Sequence, residues 1–289
     1  MIIGISGKKQ HGKNLIATIS QFLFFDAKAE AKWSYQEFTE VYHKGIHSPT
    51  VSELSGWDIK MFAEKLKQMV CLLIGCTMEE LENNKFKEKE LGKEWWRWEY
   101  LGSEGIVLIP YEESTGTREC ALIKMTPRKL LQLLGTECGR QIIHPNVWVN
   151  ALMADYKKSI TDCGEVREAD YKTNVKCNLY PNWLITDVRF PNEAEAIKQR
   201  NGVIIRVNKK TDWVRTCLKC FTGFDNLSLD RCPVCNSLEH AAVKYIESDH
   251  ESETALDNYN KFDAVIENNG TVDDLILKVK ETLITLKLI

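Results

Sequence analysis

The chain opens on "MIIGIS", runs straight into the loop "GKKQHGK", and continues with the helical period of "KNLIATISQFLFF". This order of strand, glycine loop and helix constrains the fold more than any other feature. A strand that reads as a continuous apolar run belongs inside a parallel sheet covered on both faces. Gly7, four residues, and then Gly12-Lys13 make the frame G-x-x-x-x-G-K. Backbone N–H groups of such a loop, with the positive end of the helix behind it, can surround phosphate oxygens, and the lysine reaches the β- and γ-phosphates. The frame ordinarily closes on Ser or Thr, whose hydroxyl binds Mg²⁺; here Asn14 and Leu15 follow. An amide is a poorer Mg²⁺ ligand than a hydroxyl or carboxylate, so the metal is expected on water and on another carboxylate. A glycine-rich turn in some other α/β protein is the competing reading.

The remaining pattern alternates strands and helices. "NWLITDVRF", "GVIIRV" and "KFDAVIENNG" read as buried strands; "PNEAEAIKQRNG" and "TVDDLILKVKETLITLKL" read as helices. "DIKMFAEKLKQMVCLLIG" carries an amphipathic stripe of Met61, Phe62, Leu66, Met69, Val70 and Leu73, ended by Gly75. Thr77 with Glu80 three residues on is a capping signature, as is Thr126 before Pro127. Helical period resumes over "TPRKLLQLLGTECGRQII" and "NVWVNALMADYKKSI", and residues 161 to 178 read as a polar loop. Residues 93 to 125 look like an insertion: "KEWWRWEYLG" is aromatic and basic, and two strands follow around a Ser/Gly/Thr turn. Those aromatics suit a small satellite core better than a base-stacking surface. The expectation is an α/β fold around a mostly parallel sheet.

A chain of 289 residues can bury an ample core without staples. A net charge of −3 provides no basic field to argue for nucleic acid. The longest apolar run, near Met69–Ile74, is too short to cross a bilayer, which argues against a membrane partner. The first residues read as a strand rather than a cleavable leader, so a reducing cytoplasm is the expected compartment. Of ten cysteines, six (Cys71, Cys76, Cys120, Cys138, Cys163 and Cys177) are scattered and read as apolar fillers or idle thiols.

The other four are grouped in "CLKCFTGFDNLSLDRCPVC". Cys217, Cys220, Cys232 and Cys235 can offer four thiolates to a tetrahedral Zn²⁺, although the spacer is shorter than usual. A disulfide or redox pair is the competing reading, and His240 is a substitute ligand or a surface histidine. A zinc ribbon can also dock nucleic acid or protein, a role its mixed charge supports poorly.

Asp187, at the carboxyl end of "NWLITDVRF", lies where open α/β sheets bind ligands, and Arg189 follows two residues later. Together they could position an acceptor phosphate or orient Mg²⁺; a salt bridge capping the sheet is the alternative. Glu193 falls where a carboxylate also stabilises a helix start. Arg128 and Arg140 carry guanidinium forks suited to phosphate, and Trp148 could stack on a base or fill the core.

"TPRKLLQLLGTECGRQIIHPNVWVNAL", "NWLITDVRFPNEAEAIKQRNGVIIRV" and "SDHESETALDNYNKFDAVIENNGTVDDL" together resemble the phage-type deoxynucleoside monophosphate kinases. The resemblance implies the P-loop kinase-like three-layer sandwich and transfer of the ATP γ-phosphate to a deoxynucleoside monophosphate with Mg²⁺. It places Gly7, Gly12, Lys13, Asn14 and Leu15 at ATP and Lys9 at the acceptor phosphate. Arg128, Thr136, Arg140, Trp148, Asp187, Arg189 and Glu193 then line the acceptor, with Lys13, Asp187 and Arg189 carrying the chemistry. The family's loop usually reads G-K-D and then a hydroxyl residue, so Asn14 and Leu15 depart from it. A kinase core over residues 1–205 and 251–289 would carry a zinc-ribbon lid over 206–250, the position of a four-cysteine lid in some adenylate kinases. Arg206, Arg215 and Arg231 would clamp phosphates from there. A viral gene, the host cytoplasm and a homodimer are compatible with the resemblance. The alternative is a P-loop protein that binds nucleotide or nucleic acid without turnover.

Overall fold

The computed structural model describes residues 1–29, 32–40, 51–100, 108–110, 120–168, 171–209, 213–217, 223–224, 231, 237–238, 240–244 and 254–289. It divides into two units, one of Met1–Phe62, Trp148–Lys210 and Glu247–Ile289, the other of Ala63–Val147 and Thr211–Ile246. In chain order the strands are β1 (Ile2–Ser6), β2 (Asp58–Lys60), β3 (Arg97–Tyr100), β4 (Leu108–Pro110), β5 (Cys120–Ile123) and β6 (Ser159–Glu168). They continue as β7 (Tyr171–Leu179), β8 (Trp183–Val188), β9 (Val203–Asn208), β10 (Trp213–Cys217), β11 (Gly223–Phe224), β12 (His240–Lys244) and β13 (Ala264–Glu267).

The first unit is built on a parallel sheet of order β13-β9-β1-β8-β2. Alternate residues of each central strand enter opposite cores, as the two-residue period of a strand requires. Ile3, Ile5, Leu184, Ile205 and Val207 pack with the helices Lys13–Asp26 and Val272–Thr285. Ile2, Trp183, Ile185 and Ile204 pack with Val149, Leu152, Met153, Ala194 and Ile197 of the helices Val147–Met153 and Pro191–Lys198. Helices therefore cover both faces, and the three-layer α/β sandwich read from the sequence is the observed architecture. Order reverses at β1, whose sequence neighbour β2 lies two strands to one side while β9 lies directly on the other. Ligands of open α/β sheets sit at such a switch point, outside the carboxyl ends of the strands.

Four local readings change. Asp58–Lys60 is an edge strand, and the helix begins only at Glu64. Three residues of strand carry too little alternation to stand out from the helical stripe that follows. That stripe is also only partly interior: Leu66 and Val70 are buried, whereas Met69 and Leu73 are about half exposed. Ser159–Glu168 and Tyr171–Leu179 pair antiparallel as β6 and β7 where a polar loop was expected, and the helix expected to reach Ile160 stops at Met153. Main-chain pairing made this hairpin where side-chain alternation gave no signal. Finally the strand read as "GVIIRV" begins at Val203 and runs on to Asn208.

In the second unit Thr77 and Glu80 form the expected capping box, and the Thr126 side chain accepts from Lys129 N. The helix Pro127–Gln132 passes into a π-helical stretch, Leu133–Ile143, that contains Thr136 and Arg140. Such widened turns recur at functional sites. In the insertion, β4 and β5 both pair with β3, which is the "RWEY" segment itself. The aromatic stretch is therefore the middle strand of a three-stranded sheet. Trp96 Nε1 donates to Leu91 O at 3.0 Å, and Lys124 lies 4.8 Å over its ring.

Candidate nucleotide site at the end of β1

Ser6 ends β1 and the glycine loop begins at Gly7. Gly12 is the N-cap of the following helix, with φ 92° and ψ 23°. A side chain there faces two obstacles. The left-handed conformation costs an ordinary residue about 1–2 kcal/mol, and a Cβ would come 2.5 Å from Asn268 Nδ2. No side chain caps this helix start, and its first turn carries no acidic residue. That favours an anion near the helix's positive end.

Lys13 Nζ donates to Gly7 O at 2.7 Å and Lys8 O at 2.8 Å. These two carbonyls curl the lysine back over its own loop. Lys9 and Asn14 are exposed, and Leu15 packs partly into the first core. His11 is buried; its Nδ1 donates to Val207 O at 3.1 Å, since a carbonyl can only accept. Burial pushes the ring below its ordinary pKa, and the charges of Lys13, Arg206 and Lys8 add to this against the Val207 bond.

Asp187 lies on β8, the strand beside β1. Between Ile185 and Val188 that strand holds one residue more than β1 does between Gly4 and Ser6. A bulge re-aims a side chain locally, and here it falls on Thr186 and Asp187. Asp187 Oδ1 accepts from Phe62 N at 2.8 Å. Arg189 lies just beyond the strand. Its backbone N, with that of Phe190, donates to Glu193 Oε2 at 2.7 and 3.1 Å. Glu193, 1% exposed, thus closes the start of the helix Pro191–Lys198, the structural role open to it from the sequence. Trp148 is buried in the first unit.

Arg206, on β9, donates to Ser6 Oγ at 3.1 Å and Asp257 Oδ1 at 3.2 Å and stacks near Phe262. Asp257 also pairs with Lys8 at 3.5 Å. Arg206 is therefore anchored beside the first turn of the glycine loop. Sequence reasoning missed Asp257 and Asn268 as partners of that loop, and the packing of His11 within it. Asp257 and Asn268 lie far along the chain, and the parallel order of β13, β9 and β1 brings them there.

Arg128, Thr136 and Arg140 belong to the second unit. Arg128 pairs with Glu88. Nearby, Glu82 pairs with Lys67 at 2.5 Å and Lys87 at 3.2 Å. Burial would raise the Glu82 carboxyl, but the bonds and charges of the two lysines outweigh it and hold the pKa below the ordinary value. Cys220, Cys232 and Cys235 lie outside the described residues, as does the side chain of Cys217, the last residue of β10. Among the described residues no group of three or more His, Cys, Asp or Glu is arranged to hold a metal ion. Backbone register sets Cys217 opposite His240 in the small sheet β11-β10-β12. Arg215 lies on β10, and Arg231 is exposed.

Among the described residues no helix is long and apolar enough to cross a membrane. No family model matches the chain. The chain is similar to the deoxynucleoside-5'-monophosphate kinase of Escherichia phage T5, with 29% identity over 149 residues. The aligned part is 49% of this chain and 42% of the phage enzyme, so the chain spans less than half of its relative's length. Similarity to a nucleotide kinase thus meets a glycine loop at the switch point of a P-loop kinase-like sheet.

Proposed function

We propose that this chain is a deoxynucleoside monophosphate kinase that transfers the γ-phosphoryl group of ATP to the phosphate of a deoxynucleoside monophosphate. The observation that carries the reading is the loop Gly7–Lys13 at the carboxyl end of β1, with Asp187 on the adjacent strand. The likeness to the phage T5 kinase supports it.

In this reading the backbone N–H groups at Gly12 and Lys13 receive the ATP phosphates, and the Lys13 ammonium leaves its loop carbonyls to bridge the β- and γ-phosphates. Arg206, anchored on Ser6 and Asp257, adds positive charge beside the loop. Asp187 and Arg189 serve the transferring phosphoryl group, and Lys9, Arg128, Thr136, Arg140 and Trp148 hold the acceptor. The protein's contribution is positioning and electrostatic stabilisation, because phosphoryl transfer asks little covalent chemistry of it. The residues fit Mg²⁺: Asp187 offers a carboxylate and Asn14 an exposed amide, while no hydroxyl follows Lys13. When bound, Mg²⁺ would neutralise charge on the phosphates. Cys217, Cys220, Cys232 and Cys235 are read as ligands of a structural Zn²⁺, which would stand in for a core in a lid too small to have one. With β9 ending at Asn208, such a lid would begin after that residue.

The test is an ADP-release assay with Mg-ATP over each deoxynucleoside monophosphate. Release that depends on the monophosphate is expected. ATP binding with no such release would establish the non-catalytic alternative. Metal analysis in reducing buffer should find about one Zn²⁺ per chain, and its absence would remove the zinc ribbon.

A further inference from the structure

The glycine loop keeps its shape through a residue that follows it by more than 250 positions. We infer that Asn268 is a positioning residue of the loop and sets its affinity for ATP. This rests on the reading of Gly7–Lys13 as the ATP phosphate seat.

Asn268 follows β13 directly and is 8% exposed. Its backbone N donates to Asn208 O at 2.8 Å, which ties it to the end of β9. Its side-chain Nδ2 donates to His11 O at 3.0 Å. The same nitrogen stands 2.5 Å from the place a Cβ on Gly12 would take. The amide therefore packs against the His11–Gly12 peptide at its bend.

The geometry of a trans peptide gives this contact its consequence. A peptide unit is planar, with its C=O and N–H pointing in opposite directions. Drawing the His11 carbonyl toward Asn268 turns the Gly12 N–H the other way. Around a glycine this plane is otherwise inexpensive to rotate, because φ of either sign is open to it. Rotation would present the His11 carbonyl, a negative dipole end, where the loop must present N–H to an anion. Asn268 holds the favourable orientation, and the His11 ring adds a second grip through Val207 O. The loop is thus set before ligand arrives, which saves the ordering cost of binding.

The experiment compares the parent with Asn268→Ala, which removes donor and bulk, and Asn268→Leu, which keeps similar bulk without a donor. ATP binding is measured by titration calorimetry with Mg²⁺, thermal unfolding is followed alongside, and KM is measured for each substrate. Both variants should bind ATP roughly tenfold more weakly, the size expected for one lost hydrogen bond at a site that must then be ordered. KM for the monophosphate should stay near the parental value. Parental ATP affinity in either folded variant overturns the inference while leaving the kinase reading intact. Equal weakening toward both substrates, or failure of both variants to fold, assigns Asn268 to stability and also overturns it. A parent chain that binds no ATP overturns the kinase reading itself, and the inference with it.

Discussion

Lys13 in the first unit and Arg128 in the second, both read as phosphate ligands, are held in different ways. In the first, the two carbonyls Gly7 O and Lys8 O place the Lys13 ammonium. In the second, Glu82 receives both Lys67 and Lys87, and Glu88 receives Arg128. A carbonyl dipole fixes a cation without cancelling its charge; a carboxylate fixes it and cancels much of the field. An anion reaching Lys13 must draw it from two carbonyl dipoles, whereas one reaching Arg128 must compete with the Glu88 carboxylate. Such competition is feasible. Part-exposed ion pairs contribute about 0.2–1 kcal/mol, and a bidentate guanidinium–phosphate contact is among the stronger charge-assisted bonds.

The largest expected effect is at the loop. Lys13→Ala should lower kcat in the ADP-release assay by about 10²–10³, the usual result of removing one preorganised charge from a developing anion. Arg128→Ala should act more mildly, raising the monophosphate KM by roughly tenfold with little change in KM for ATP, as loss of ground-state binding does. An equal fall in kcat for both variants would break the contrast between a preset loop and ion-paired helices.

The smallest effect concerns His11, which links the loop to pH. Its pKa in the folded chain is lowered, so the unfolded chain takes up the proton first as pH falls through the ordinary histidine value of about 6.5. The fold loses stability across that window and on down to the lowered folded value. Above the window, both states are neutral and the term vanishes. Thermal unfolding between pH 7.5 and 5.5 should show a larger fall for the parent than for His11→Gln. An identical fall in both would show that His11 stays solvated and outside the loop's packing.

Much of the first unit and the helix starts of the second were legible in the sequence because their signals are local. The apolar runs of β1, β8 and β9, the caps at Thr77 and Thr126, and the spacing of Gly7, Gly12 and Lys13 each report on a few adjacent residues. β2 and the β6–β7 hairpin were not legible. Their strands are made by main-chain pairing with distant partners, and side-chain periodicity carries no record of that. The same limit divided the site. Lys13 could be chosen from its place in the glycine frame and Asp187 from its place at the end of a strand, whereas the contacts of Glu193 and Arg206 depended on partners.

The sequence by itself determined the class of fold and the place of the glycine loop in it, since strand, glycine frame and helix follow one another within 26 residues. Tertiary structure alone decided what surrounds that loop. Parallel pairing sets the end of β1 beside β8 and β9 and joins β13 to β9. That order brings Asp257 to Lys8 and Arg206, and Asn268 to the carbonyl of His11. Contacts across some 250 residues leave no local pattern, because what fixes them is the order of strands in the sheet.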